Sequence, residues 1–310
     1  EITNNECREL LDKPADVVLM NGFEDDFVPK GATFTGKRKR ARSTMLRVAN
    51  CLLGEDLGDD TLIIGTSGRY EFKNKGIDVF LESLNRLNRD KDLKKKVLAF
   101  VNVPSWVGDP REDLQKRLKS KDKFTEPLQC PFITHWLHNM THDQVLDMLK
   151  YLGMGNRPED KVKVIFVPCY QDGHDGILNK HYYDLILGED LSVYPSYYEP
   201  WGYTPLESVA FRVPTITTDL AGFGLWVNSL KNQHGINDGV EVLHRSDYNY
   251  SEVADGIKDT VALFSTKTEA EIKEIRKRAG QVAEQALWKH FIQYYYEAYD
   301  IALRNAMKRQ

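Results

Sequence analysis

Short apolar runs alternate with amphipathic stretches through the middle of this 310-residue chain. The apolar runs predict strands at 62–65, 96–103, 162–167, 191–194, 213–217 and 239–243. Helices are predicted at 75–87, 143–152 and 182–187, and from 207 and 224 onward. Because buried strands that alternate with helices form parallel sheets covered on both faces, the pattern predicts an α/β fold with a Rossmann-like, doubly wound parallel sheet.

The chain divides into three predicted parts. Residues 1–35 are a junction segment with a short helix at 6–11 and a strand-like run at 16–20, residues 36–248 form the Rossmann-like domain, and residues 249–310 form a helical C-terminal tail. The segment 104–131 is polar and irregular, with a charged helical piece, and is interpreted as an insertion. No internal repeat or low-complexity tract is visible.

Composition limits the partners. A net charge of -4 argues against nucleic acid as the main partner, since phosphate backbones favour a basic face. No apolar run reaches the length of a membrane span, and the first residues lack the pattern of a signal peptide. The chain does not begin with Met, which indicates a fragment or a processed product. Four widely spaced cysteines indicate reduced thiols and a cytoplasmic protein.

The segment from Pro195 to Glu207 carries two glutamates between a predicted strand and a predicted helix. A carboxylate at the carboxyl end of a strand lies where open α/β sheets place ligands, and the helix start suits a phosphate. Glu199 would lie at that edge, and Glu207 could reach the hydroxyls of a sugar or ribose. The alternative is a pair of solvated surface carboxylates, but Trp, Gly and two prolines are costly choices for a plain surface turn.

Two further small-residue loops follow strands, at 65–76 and at 218–224. In the first, Arg69 offers a planar fork for phosphate oxygens and Lys75 a point charge. Each loop could also be ordinary turn chemistry. Because the carboxyl ends of parallel strands share one edge, both loops and the glutamate segment are expected to converge there.

Three other patterns leave alternatives open. The helix at 37–53 begins with five basic residues, which fit either an anion site or a solvated face, and the solvated face is favoured. His135, His138 and His142 have metal-ligand spacing on a helix, but hydrogen-bonded or surface roles are favoured over a metal site. An aromatic stripe in the tail indicates core or docking surface and comprises Trp288, Phe291, Tyr295 and Tyr299.

Several segments together resemble the glycogen synthases of glycosyltransferase family 3. They are 68–76, 134–140, 162–166, 197–205 and 215–224. The resemblance implies the GT-B arrangement of two Rossmann-like domains facing across a cleft, of which this chain is the C-terminal half. Residues 16–22 would mark the junction with a missing N-terminal domain, so the fragment alone is expected to be inactive. A homo-oligomer is a further possibility.

The resemblance also implies roles for individual residues. Arg69 and Lys75 would hold the diphosphate of UDP-glucose in place of a metal, and Glu207 would hold the ribose. Tyr182 would stack on uracil, with Tyr183 as the second choice, and Glu199 would lie near the glucose as nucleophile or electrostatic stabiliser. The segment that contributes backbone N–H groups and further donor contacts contains Trp201, Gly202, Tyr203 and Thr204.

The implied reaction transfers glucose from UDP-glucose to the non-reducing end of an α-1,4-glucan with retained configuration, without a metal or other cofactor. The alternative is a non-catalytic GT-B-like glucan-binding or scaffold module. Eukaryotic members carry an arginine-rich helix that senses glucose 6-phosphate. Because the matching region offers only Lys273, Arg276, Lys277 and Arg278, a bacterial enzyme without that regulation is expected.

Overall fold

The computed structural model describes residues 2–231 and 233–308 and centres on a six-stranded parallel sheet. Its strands are β1 (Leu62–Ser67), β2 (Val97–Asn102), β5 (Val162–Val167), β6 (Leu191–Val193), β7 (Thr215–Thr218) and β8 (Val240–Leu243). The strand order is β5-β2-β1-β6-β7-β8, so the direction of winding reverses between β1 and β6. The predicted Rossmann-like, doubly wound sheet is confirmed, as are all six of its predicted strands.

Eleven α-helices accompany the sheet in the described part of the chain. They are α1 (Ile2–Leu11), α2 (Gly31–Leu53), α3 (Ile77–Asn88), α4 (Glu112–Lys119), α5 (Gln144–Tyr151), α6 (Tyr182–Ile186), α7 (Tyr203–Ala210), α8 (Gly222–Ser229), α9 (Tyr250–Ser265), α10 (Glu269–Gln285) and α11 (Trp288–Met307). Alternate strand residues face opposite layers. On β1, Ile64 packs with α3 and α9, whereas Ile63 packs with α2 and α4.

The predicted helical tail is present as the three helices α9, α10 and α11. These helices bury apolar side chains against the sheet layers rather than extend from the body. α9 packs along α3, and α10 packs along α7. In the aromatic stripe of α11, Phe291 is buried against Trp201 and Trp226, whereas Tyr299 is 57% exposed. The stripe therefore contributes both to the core and to the surface, as predicted.

The segment that leads into α2 pairs with the residues that lead into α11. Phe23 forms a parallel bridge with Leu287, and its backbone N–H and C=O bond to Ala286 and Trp288. A Cβ on Gly22 would lie 2.4 Å from the Trp288 ring, so only glycine fits under the indole. The predicted strand at 16–20 is wrong, because these residues form no ladder and the only pairing nearby among the described residues is this bridge.

Two other predictions need correction. The basic helix begins at Gly31 rather than residue 37, because its first turns are held by tertiary contacts in spite of weak helix formers. The segment 104–131 contains the predicted helical piece, α4, and also β3 (Val107–Pro110). β3 pairs antiparallel with β4 (His135–Leu137), so the histidines fall on a strand and the turn after it, not on a helix.

Among the described residues, no helix combines the length and the apolar character needed to cross a membrane.

Candidate functional site

Three loops meet at the carboxyl edge of the sheet, beside the reversal between β1 and β6. Tyr197 N–H donates to the Asn74 carbonyl at 2.7 Å, which joins the loop after β6 to the loop after β1. Glu199 N–H donates to the Leu220 carbonyl at 3.2 Å, and the Glu199 carbonyl accepts from Gly222 at 3.0 Å. Glu199 is thereby fixed to the loop after β7. The predicted convergence of the three loops is confirmed.

Gly76 holds the first two of these loops in close contact. It precedes α3 with φ 68°, in the left-handed region that favours glycine. A Cβ at this position would lie 2.0 Å from the Pro195 carbonyl oxygen. The strand–loop–helix at 65–76 can therefore approach the glutamate segment only with glycine at this residue.

The structure pairs two of the predicted catalytic residues. Lys75 Nζ forms an ion pair and hydrogen bond with Glu199 Oε2, and both side chains are mostly buried. Arg69 lies nearby but is 76% exposed, with its Nε 3.1 Å from Glu71 Oε1. The edge of the sheet thus presents one neutralised lysine–carboxylate pair and one guanidinium that reaches into solvent.

Helix α7 begins at this edge. Gly202 precedes it with φ 107°, and Tyr203 and Thr204 are its first residues. The N–H groups of a first helical turn have no partner within the helix, so they are available to an anion. Trp201 lies elsewhere: it is buried among Phe223, Trp226 and Phe291, and its indole N–H finds no acceptor in the described part of the chain.

A cavity of about 350 Å³ opens at the same edge, and we call it the donor cavity. It is lined by Ser67, Gly68, Arg69, Tyr70, Asn102, Pro104, Cys169, Tyr170, Gln171, Tyr182 and Thr204. Sequence reasoning missed Asn102, Tyr170 and Gln171. The available signal was their position, since Asn102 ends β2 and the other two closely follow β5.

Three larger cavities lie elsewhere: two of about 710 and 810 Å³ along α2, and one of about 610 Å³ between Phe23 and α10. The largest is lined by Leu62 and Asp190, at the amino ends of β1 and β6. Open α/β sheets bind ligands at the carboxyl ends of their strands, beside the reversal of winding. The smaller donor cavity is therefore the candidate site.

Tyr182 and Tyr183 differ in their surroundings. Tyr182 lines the donor cavity, and its hydroxyl accepts from Ser67 Oγ at 3.1 Å. Tyr183 lies with its ring stacked on Phe211, with centroids 5.3 Å apart, and its hydroxyl donates to Glu207 Oε1 at 2.8 Å. Burial raises the pKa of Glu207, while hydrogen bonds from Tyr183 and Tyr182 act in the opposite direction.

The histidines do not assemble a metal site. His135 is buried, with Nδ1 2.9 Å from Thr134 Oγ1 and Nε2 2.7 Å from the Asp175 carbonyl, so its predicted hydrogen-bonded role is confirmed. Within the described ranges, His135, Cys169 and Asp175 bring potential ligand atoms within 4.8 Å of one another. However, the Asp175 carboxylate already accepts three backbone N–H groups, and burial raises the pKa of Cys169 to about 12. These groups do not fit a metal.

The predicted solvated face at the basic start of α2 is wrong for Arg38 and Arg42, whereas Lys39 and Arg40 are exposed. Arg38 and Arg42 reach the two carboxylate oxygens of Asp190, at 2.5 and 2.6 Å. Burial raises the pKa of Asp190, but Arg42 and Arg38 outweigh burial and hold it below its usual value. Arg276 of α10 is buried beside them and donates to the Glu189 carbonyl at 3.1 Å. Asp190 thus pairs with Arg38 and Arg42, whereas Arg276 Nη2 has no hydrogen-bond partner among the described residues. The cluster lies at the opposite edge of the sheet from the donor cavity.

Comparison with known proteins identifies relatives of the whole chain. The family model described as glycogen synthase matches residues 1–111 and 108–310. The glycogen [starch] synthase of Neurospora crassa is 27% identical over 367 aligned residues, which cover 98% of this chain and 51% of that protein. Its counterpart from Caenorhabditis elegans is 30% identical over 303 residues, covering 79% and 44%. The chain spans about half the length of these relatives.

Solved structures agree on the fold. Sucrose-phosphate synthase from Thermosynechococcus elongatus superimposes with a TM-score of 0.52 at 15% identity, over 98% of this chain and 57% of that one. Anabaena Alr3699/HepE, solved in complex with UDP and glucose, gives a TM-score of 0.50 at 17% identity, over 93% and 57%. The likeness shows the Rossmann-like α/β fold. With its sequence matched end to end by one family model, this chain belongs to the glycogen synthase family.

Proposed function

We propose that this chain is the donor-binding domain of a retaining glucosyltransferase that adds glucose from UDP-glucose to the non-reducing end of an α-1,4-glucan. The observation that carries the proposal is the meeting of Lys75 with Glu199 at the start of α3 and α7, beside the donor cavity. The glycogen synthases of fungi and a nematode supply the substrate class. The acceptor glucan and the catalytic groups of a facing N-terminal domain belong to the same proposal.

Each donor group has residues suited to it. Arg69 and the first-turn N–H groups of Tyr203 and Thr204 would bind the diphosphate, since planar guanidinium and helix N-termini both suit phosphate oxygens. Lys75 would exchange part of its contact with Glu199 for the leaving phosphate, which needs no metal to neutralise it. Its carboxylate partner would then face the positive charge that develops at the anomeric carbon.

The positions proposed for the uracil base and the ribose depend on the two tyrosines. Tyr182 lines the donor cavity and is the better stacking platform for uracil, because the Tyr183 ring is already stacked on Phe211. Glu207 lies one turn into α7, where a carboxylate can accept from both ribose hydroxyls. Tyr183 would hold that carboxylate in place through its hydrogen bond.

The setting of the enzyme is part of the proposal. The cysteines are free among the described residues, which fits a reducing cytoplasm. A bacterial source rests only on the sparse basic residues of α10, while the relatives above come from fungi and a nematode. The paired Lys75–Glu199 set argues against the non-catalytic alternative, since a decayed site has no reason to keep this contact.

Calorimetric titration with UDP, ADP and GDP, without divalent metal, tests the proposal. Wild type should bind UDP selectively. Arg69→Ala should weaken UDP binding by roughly 10- to 100-fold, the range expected for charged hydrogen bonds. Arg89→Ala is the matched control, because Arg89 is exposed at the other end of α3. Affinity for glycogen without any nucleotide binding would instead support the scaffold alternative.

A further inference from the structure

A line of buried hydroxyl groups begins at Glu189, beneath α7. Ser192 on β6 and Ser208 on α7 are both fully buried. Ser208 Oγ donates to Ser192 Oγ at 2.6 Å, and Ser192 Oγ donates to Glu189 Oε2 at 2.7 Å. The buried carboxyl group of Glu189 is therefore hydrogen-bonded to the Ser192 hydroxyl on β6, and through it to the Ser208 hydroxyl on α7.

The line continues to the donor cavity. Tyr194 lies two residues beyond Ser192, and its hydroxyl lies beside that of Ser208 and 3.3 Å from Ser67 Oγ. Ser67 Oγ in turn donates to the Tyr182 hydroxyl at 3.1 Å. Because Ser67 and Tyr182 both line the donor cavity, a line of neighbouring hydroxyl groups connects Glu189 to the wall on which the base would stack.

The position of Glu189 is tightly constrained. A Cβ on Gly65 would lie 2.2 Å from Glu189 Oε1, so the carboxyl group occupies the space that glycine leaves on β1. The Glu189 carbonyl accepts from Arg38 at 2.7 Å and from Arg276 at 3.1 Å, which fixes its backbone from α2 and α10. The carboxyl group therefore lies between β1 and the hydroxyl line.

Burying polar groups costs free energy unless every partner is present, and a satisfied buried network fixes a single geometry. The surrounding strands are otherwise filled with aliphatic and aromatic side chains. We propose that Glu189 is a positioning residue for the donor site, acting through Ser192, Ser208, Tyr194 and Ser67 to set the place of Tyr182. This inference rests on the proposed nucleotide-binding function.

The line should be sensitive to pH. Burial raises the pKa of Glu189 to about 8; the neighbouring Asp190 raises it further and Ser192 lowers it. The other groups that face it are Tyr194, whose pKa is raised by burial to about 12, the Arg38 and Arg276 guanidiniums at its carbonyl, and Arg42 through Asp190. Between pH 7 and 9, Glu189 gains a buried negative charge that the line does not neutralise.

UDP titrations at pH 7 and pH 9 test the inference on wild type, Glu189→Gln and Glu189→Leu. Wild-type affinity should fall by about fivefold between the two pH values, while Glu189→Gln, which keeps a neutral hydrogen-bonding group, should bind as wild type does at pH 7 and change little with pH. Glu189→Leu should bind about tenfold more weakly at both values. Equal UDP affinity in wild type and a folded Glu189→Leu would overturn the inference.

Ser208→Ala provides a second test of the inference if Glu189→Leu does not fold. Its control is Ser83→Ala, since Ser83 is equally buried but bonds only to the Phe80 carbonyl of its own helix. Ser208→Ala should weaken UDP binding by roughly three- to tenfold, and Ser83→Ala should not. If both lower the melting temperature and neither changes UDP affinity, the line is purely structural. Wild type that binds no UDP would remove the proposed function itself.

Discussion

Tyr182 and Tyr183 are adjacent in the chain, yet their side chains make different contacts. One ring lines the donor cavity, and the other supports Glu207 from behind. The sequence predicted the pair but not the division, because two tyrosines at a helix start look alike until Phe211 and Ser67 are placed around them. The position of Glu199, Glu207 and Lys75 at the carboxyl edge of the sheet was predictable, since they stand in motifs that follow strands.

Tyr183→Phe isolates the contact with Glu207. The variant keeps the ring stacked on Phe211 but removes the hydrogen bond that helps to hold the pKa of Glu207 down. That pKa should rise further, so the loss of UDP affinity on acidification should begin at a higher pH than in wild type. Titrations from pH 5 to 7 measure this shift. Tyr198→Phe is the control, since its hydroxyl donates to Glu6 on α1, and an equal shift in both variants would contradict the assignment.

At the scale of elements, long apolar runs were enough to predict all six sheet strands. The failures are elements that depend on distant partners. β3 and β4 are short and partly polar, and each forms only because the other supplies its backbone hydrogen-bond partners. Arg38 and Arg42 were interpreted as solvated because Asp190, their partner, lies about 150 residues away in the chain. The residues 16–20 have strand composition but no neighbouring strand with which to pair.

The contact of α3 with the glutamate segment should be intolerant of any side chain at Gly76. Gly76→Ala combines a left-handed φ with a Cβ 2.0 Å from the Pro195 carbonyl, and should lower the free energy of unfolding by about 2 kcal/mol more than Gly153→Ala. Gly153 has φ 69° with open space around its Cβ position, so it carries the backbone cost alone. Urea denaturation of both variants measures the difference, and equal losses would remove the steric argument.

Helix α10 begins with a capping box in which Thr268 and Glu271 satisfy each other's backbone N–H groups. Thr268→Ala should cost about 1 kcal/mol of stability, the usual value of such a cap. Thr266→Ala is the control, because its hydroxyl bonds to the Leu263 carbonyl at the end of α9. Thermal unfolding that ranks the two variants in the opposite order would contradict the cap's contribution.

Across the whole molecule, the two edges of the sheet carry different chemistry. The carboxyl edge holds the donor cavity, and the amino edge holds the arginines of α2 that pair with Asp190, beside Arg276 of α10. Between them runs the buried line that starts at Glu189. The charge state of Glu189 should therefore affect the stability of the folded chain as well as nucleotide binding at the site.

Glu189→Gln should remove part of the pH dependence of stability. Because the folded-state pKa of Glu189 is raised to about 8, its contribution is complete below the unfolded-state value near 4.5 and is lost as pH rises through 8. Wild type should lose on the order of 4 kcal/mol from this group between pH 5 and 9, which the glutamine variant should retain. Urea denaturation across this range measures the difference. If the free energy of unfolding of both proteins changed equally with pH, the pKa of Glu189 would not be raised by burial.

The bridge between Phe23 and Leu287 has a mechanical consequence. Force applied at the two ends of the described chain would reach this pairing before it reached the parallel sheet, because the bridge joins the segments that lead into α2 and α11. α1 would separate first, because it buries no side chain and is held by contacts such as the hydrogen bond from Tyr198 to Glu6. In a single-molecule pulling experiment, the donor cavity should keep its shape until the Phe23–Leu287 bridge has opened.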